Sequence, residues 1–169
     1  PDVFFELGKF KQHEAAQQEG EKLSQRGFPT SVVSRGFLWM NSYHLLVGPY
    51  RDEQQEQKIR SDLASYGYKP RPFERGSRNF ALRSSVMVDQ ARLPVGSVTI
   101  DWESYVGDAR VQFKQVDNVL ATAEAKWLKR SRRYSKNEYV YGNLANGSHP
   151  LLEIHFAGLD RALVFREAR

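Results

Sequence analysis

The chain repeats itself at an offset of 40 residues. Tyr43-His44-Leu45-Leu46-Val47-Gly48-Pro49-Tyr50 is a short apolar run stopped by a Gly-Pro turn, and Val3-Phe4-Phe5-Glu6-Leu7-Gly8-Lys9-Phe10 is a weaker copy of it. Phe5 aligns with Leu45, Leu7 with Val47, Gly8 with Gly48 and Phe10 with Tyr50 without a gap. The same offset then pairs Leu23 with Leu63, Gly27 with Gly67 and Phe28 with Tyr68. A register held this long marks two related supersecondary units, and two copies are too few for a solenoid or propeller.

Within each unit the residue types switch period. Val3 to Leu7 reads as a strand, because Phe and Val suit a half-buried pleated surface. From His13 to Arg26 helix formers dominate, with Ala16, Gly20, Leu23 and Gly27 on one narrow stripe. Gly27 stands where a C′ cap is expected. Phe28 to Ser34 reads as a second strand and Tyr43 to Val47 as a third, with Arg35 to Ser42 an aromatic-rich connection between them. Asp52 is the expected N-cap of a second helix running to about Tyr66, with Ile59 and Leu63 inward and Gly67 closing it. Tyr68 to Phe73 completes β-α-β, β-α-β, the ferredoxin-like order. Four antiparallel strands would then carry two helices on one face and leave the other open.

Arg71 to Asn79 is polar and rich in turn residues, and predicts a domain boundary, with one domain over 1–75 and another over 80–169. Beyond it the period is two. Val98, Ile100 and Trp102 alternate with polar neighbours, as do Val111 and Phe113, then Val119, Ala121, Ala123, Ala125 and Trp127. Tyr139 and Tyr141 repeat the pattern, and so do Leu152, Ile154 and Phe156. Gly107-Asp108, Asp117-Asn118 and Asn146-Gly147 fall between the runs as hairpin turns. The fold class expected for the whole chain is α+β: a ferredoxin-like βαββαβ domain followed by an all-β antiparallel sandwich or small barrel.

Composition narrows the functions. There are no cysteines, which excludes disulfides, thiol catalysis and cysteine-bound zinc. No apolar run is long enough to cross a bilayer, although a first residue of Pro rather than Met suggests an upstream segment, with room for an anchor or export signal. The net charge of +5 is uneven. Residues 1–75 hold 11 Lys/Arg against 10 Asp/Glu, and the remainder 14 against 10.

Residues 3–73 resemble the SPOR domain, a bacterial peptidoglycan-binding module. The resemblance rests on Gly8-Lys9-Phe10 for a strand ending in Gly-Ser-Phe, on Leu23 to Gly27 and Leu63 to Gly67 for two helices ending in Leu-x-x-x-Gly, and on Tyr43 to Tyr50 for a strand running into Val-Gly-Pro-Phe. It implies binding to glycan strands stripped of stem peptides at the division septum, on the open face of the sheet, in the periplasm or another extracytoplasmic part of the envelope. Two positions depart from the pattern: Glu6 stands where the family often has Gln, and His44 where it often has Arg.

Strand alternation then selects the candidate binding residues. If Phe5, Leu7, Leu45 and Val47 face the helices, Phe4, Glu6, His44 and Leu46 point to the open face. Phe37 and Trp39 are expected to fold over its edge, giving an aromatic wall for the C–H surface of a sugar beside two polar groups. In the second half, Lys126 to Lys136 carries Lys126, Lys129, Arg130, Arg132, Arg133 and Lys136 with no acid. This basic patch suits an anionic polymer, with an envelope protein as the other partner considered for that domain.

Rival readings are weaker. The ferredoxin-like order also serves RNA recognition, and Arg35-Gly36-Phe37 with Val3-Phe4 starts that module's aromatic motifs, but Leu38, Asn41 and Ser42 break the pattern and nucleic acid is not favoured. No nucleophile-elbow, phosphate-loop or zinc-protease pattern occurs, so no enzyme, cofactor or metal is expected. Glu153, His155 and His149 match no established metal spacing, and Asn146-Gly147-Ser148 reads as a turn rather than a glycosylation site.

Overall fold

Each copy of Leu-x-x-x-Gly ends a helix, and both do so with the same hydrogen bonds. The chain is described here from a computed structural model covering residues 2–37, 40–105 and 107–165, with the side chains of 35–41 left out of that description. It divides into two compact units, Pro1–Glu74 and Arg75–Arg169.

The first unit runs β1 (Asp2–Phe10), α1 (His13–Gln25), β2 (Thr30–Phe37), β3 (Met40–Tyr50), α2 (Glu53–Ser65) and the start of β4 (Arg71–Leu82). Its strands lie in the order β4-β1-β3-β2, with β3 antiparallel to both β1 and β2. At the end of α1, Phe28 N–H donates to the Leu23 carbonyl (3.1 Å) and Gly27 N–H to the Ser24 carbonyl (3.0 Å). At the end of α2, Tyr68 N–H donates to Leu63 (3.1 Å) and Gly67 N–H to Ala64 (3.0 Å). This paired bonding needs a left-handed residue after the helix, supplied by Gly27 at φ +91° and Gly67 at +87°. It also folds Phe28 and Tyr68 back toward the core that holds Leu23 and Leu63. Asp52 caps α2 as expected, its Oδ1 accepting from Gln55 N–H at 2.7 Å.

Both helices are mostly solvated. Only Ala16, Gly20 and Leu23 of α1 and Leu63 of α2 are fully buried. They cover Phe5, Leu45 and Val47 of the sheet, joined by Val3, Leu7, Phe10 and Tyr50. The aligned pairs of the repeat therefore share one core. Gly48 has a second role: at φ +135° a Cβ there would lie 3.1 Å from the Val3 carbonyl oxygen and 3.2 Å from Phe4 Cα, so only glycine lets β1 pass this close. The β1–β3 register slips at this point.

The second unit continues β4 from Arg75 and adds β5 (Val86–Val88), β6 (Ala91–Leu93), β7 (Gly96–Tyr105), β8 (Asp108–Gln115), β9 (Asn118–Lys129), β10 (Glu138–Tyr141), β11 (Leu151–His155) and β12 (Arg161–Phe165). Strand order is β10-β11-β12-β9-β8-β7-β4, with β5 and β6 paired apart. The sheet is rolled. β7 and the end of β11 are four places apart, roughly 19 Å in a flat sheet, yet the rings of Trp102 and Phe156 stand 4.5 Å apart and Phe80 lies 5.6 Å from Phe156. One core of Phe, Trp, Val, Ile, Leu and Ala fills the inside.

The α+β class is borne out, with two helices and twelve strands among the described residues. Three local expectations are corrected. Arg71 to Asn79, where the division between the two units falls, is not a run of turns but the first part of β4. Phe73, Phe80 and Leu82 are its buried positions, and Gly76 is there because the Trp102 indole covers it, only 2.1 Å from where a Cβ would stand. Val119 is 51% exposed rather than inward, because a bulge in the β8–β9 ladder after Phe113 reverses the alternation. A second bulge, between β10 and β11, brings Leu151 inward in place of Leu152.

Candidate functional site

The helix-free face of the first unit collects the residues whose alternation opposes the core. Cross-strand pairs share a face, so the pairing of Glu6 with Leu46, Lys9 with His44, Ser31 with Leu46 and Val33 with His44 puts these side chains together. Their surroundings differ. Phe4 is 3% exposed and Leu46 fully buried. Phe4 packs against Phe73 of β4, ring centroids 6.1 Å apart. The expectation that Phe4 and Leu46 would offer apolar surface to a sugar is therefore corrected: both are buried, Phe4 against Phe73.

The polar residues form a chain instead. The Glu6 carboxylate, itself only 6% exposed, is hydrogen-bonded to His44 Nδ1, and His44 Nε2 lies 3.2 Å from Ser42 Oγ. A carboxylate accepts only, so Nδ1 carries the proton toward Glu6, and in the neutral ring Nε2 accepts from the Ser42 hydroxyl. The two departures noted in the sequence, an acid on β1 and a histidine on β3, thus satisfy each other. A buried carboxylate costs several kcal/mol unless paired, which explains why Glu6 and His44 occur together.

Around this chain lie exposed Lys9 and Ser31 and half-buried Val33, Ser42 and His44. Lys9, Ser31, Val33 and Ser42 did not stand out in the sequence: alternation from His44 places Ser42, whereas Lys9 reaches this face only through the register shift between Glu6 and Gly8, and Ser31 and Val33 only through the pairing of β2 with β3. Trp39 and the side chain of Phe37 lie outside the described residues, so the expected aromatic wall has no counterpart in the described geometry.

The contacts Ser42–His44–Glu6 follow the order of a hydrolytic triad. Such a triad also needs two converging N–H donors for an oxyanion. Ser42 and Tyr43 sit in the β2–β3 ladder, and Tyr43 pairs with Phe10 on the other side. Their backbone groups face neighbouring strands and offer no such donor pair.

The basic run of the second unit is half compensated. Lys129 pairs with Asp160 (3.2 Å), Arg130 with Glu153 (2.7 Å) and Lys136 with Glu138 (3.0 Å). The hydrogen bond from Arg130 Nε to the Tyr134 hydroxyl raises the guanidinium pKa above its ordinary range, and Glu153 adds to the rise. Lys126, Arg132 and Arg133 remain exposed without an ion pair among the described residues. Glu153 and His155 are joined to each other (2.9 Å), and no group of metal-binding type occurs among the described residues.

The SPOR domain model, that of a peptidoglycan-binding domain, matches residues 2–70, from β1 to the turn after α2. No curated protein and no solved structure matches the chain. The matched segment holds the doubled helix caps, the Gly48-Pro49 turn and the Glu6–His44–Ser42 chain, and the first unit of this protein is a SPOR domain.

Proposed function

We propose that the helix-free face of the SPOR domain binds peptidoglycan glycan strands non-covalently, through Ser42, His44, Lys9 and the neighbouring Ser31 and Val33. The observation that carries this reading is the partly buried Glu6–His44–Ser42 chain, flanked on the same face by exposed Lys9 and Ser31. Sugar hydroxyls and acetamido groups need oriented donors and acceptors, and a hydroxyl fixed by a histidine supplies both at little entropic cost. Removal of stem peptides by an amidase turns a lactyl amide into a carboxylate. The exposed Lys9 ammonium then meets an anion on the sugar itself, at a position that carries a neutral amide in the intact polymer, which favours stripped strands.

The strand order β4-β1-β3-β2 and the β-α-β-β-α-β sequence support a ferredoxin-like arrangement for this unit. They also support reading residues up to Glu74 and from Arg75 as two domains, the second a small rolled barrel. The role is binding without catalysis, in the extracytoplasmic envelope of a dividing bacterium. Lys126, Arg132 and Arg133 add a general attraction to anionic envelope polymers, and Phe37 and Trp39 remain candidates for the sugar-stacking wall.

Co-sedimentation with purified sacculi, before and after amidase treatment, tests the reading. Retention should rise several-fold on treated sacculi, and Lys9→Glu should abolish the rise while leaving the far-ultraviolet spectrum unchanged. Equal retention on both materials contradicts preference for stripped glycan.

A further inference from the structure

We infer that the second unit takes up an extended peptide segment of a partner protein between β4 and β10, where its rolled sheet lacks one strand. The argument begins with parity. Successive neighbours from β7 through β8, β9, β12 and β11 to β10 are antiparallel. β4 runs antiparallel to β7, because Ser77 bonds Asp101 while Asn79, two residues on, bonds Thr99, two residues back. Seven alternating strands leave the two outer ones, β4 and β10, running the same way. An antiparallel sheet closes without a seam only with an even number of strands, so these two edges cannot pair as neighbours in the pattern the rest of the sheet follows. One further strand, antiparallel to both, restores the alternation and makes eight.

The geometry agrees with a gap of that width. A cleft of about 530 Å³ lies between the two edges, lined by Asn79, Ala81 and Arg83 on one side and Lys136, Glu138 and Val140 on the other. At its far end the Tyr139 hydroxyl accepts hydrogen bonds from Arg83 N–H (2.9 Å) and Ser84 N–H (3.1 Å). These are donors that an adjacent strand would otherwise use. A tyrosine hydroxyl reaches roughly 6 to 7 Å from its own Cα. With the hydrogen bond added, the reach is about 9.6 Å, two strand spacings, so this side chain is long enough to bridge one missing strand. Arg83 and Ser84 N–H face the cleft from the bend that ends β4, and Ala81 and Asn79 line it ahead of them. Among the described residues, no strand of the unit pairs with that edge of β4 or with the outer edge of β10.

Charge and burial describe the occupant. Arg83 is exposed and has no ion pair among the described residues, whereas Lys136 is already neutralised by Glu138. The inward neighbours of the cleft are Phe80 and Leu82, 5% and 4% exposed. The segment that fits is extended, with small apolar side chains inward and a carboxylate placed for Arg83. Main-chain bonds to both edges would supply affinity, and Arg83 the register.

The test uses the full chain and a synthetic acetylated, amidated heptapeptide, Thr-Val-Glu-Val-Thr-Val-Glu, followed by backbone amide NMR. Shifts and slowed exchange are expected at Asn79, Ala81 and the outer edge of β10. Arg83→Glu should weaken the peptide at least ten-fold, and a peptide with Lys for Glu should recover it. Ala81→Pro, which removes one N–H from a cleft-lining edge that tolerates proline, should weaken both peptides alike. Unperturbed cleft amides at millimolar peptide overturn the inference. So does equal affinity in both variants, or a concentration-dependent dimer of the chain itself occupying the cleft. Sacculus retention should be the same in all these variants, because the inference does not rest on the glycan reading.

Discussion

Glu6 and His44 show how one pair can decide what a face does. Each departs from the residues its positions resemble, and each is nearly buried. Removing one partner leaves the other's polar group unsatisfied in a closed site, at roughly 1–3 kcal/mol. Glu6→Ala should therefore lower the urea midpoint, and Glu6→Ala with His44→Leu together should cost less than the sum of the two singles. Additive losses would mean that the contact contributes nothing. Tyr68 offers a second test at this scale. Burial, and after it the Glu19 carboxylate that its hydroxyl bonds, push its phenol up to about 12. A phenol whose folded value lies above the ordinary one near 10 adds stability that is complete below pH 10 and lost as pH rises toward 12. Tyr68→Phe should flatten the fall in denaturant midpoint between those pH values. An unchanged slope contradicts the role given to the Glu19 contact.

At the scale of elements, the doubled cap is the strongest local determinant in the chain. A non-glycine residue in the left-handed conformation costs about 1–2 kcal/mol, and nothing lies within 4 Å of a Cβ at either glycine. Gly27→Ala and Gly67→Ala should lose similar amounts in thermal or urea unfolding, free of any packing clash. A large difference between them would mean that the repeat is not mechanically equivalent. These elements were legible in the sequence because glycine spacing and apolar period report backbone geometry directly. The strand at Arg71–Leu82 was not, since Arg71, Pro72, Glu74, Arg75, Gly76 and Ser77 carry turn chemistry. Its strand character comes from neighbours far along the chain, and Gly76 serves the Trp102 ring rather than a turn. The bulges that turned Val119 outward and Leu151 inward were equally hidden, because a single extra residue reverses a period-two pattern without changing composition.

At the scale of the molecule, alternation correctly divided β1 and β3 into two faces, but it carried no information on what covers the second. Alternation allows Phe4 and Leu46 to be either binding surface or buried, and they are buried; Glu6 and His44, two separate departures in the sequence, act together. What remains for a ligand is a polar strip, and the central claim is that this strip recognises sugar. Amide NMR of the full chain, titrated with a peptide-free tetrasaccharide of alternating N-acetylglucosamine and N-acetylmuramic acid, tests it most directly. Shifts confined to Lys9, Ser31, Val33, Ser42 and His44, and lost in Ser42→Ala with the fold intact, are the predicted result. Shifts on α1, α2 or the second unit, with these five amides unmoved, would contradict it.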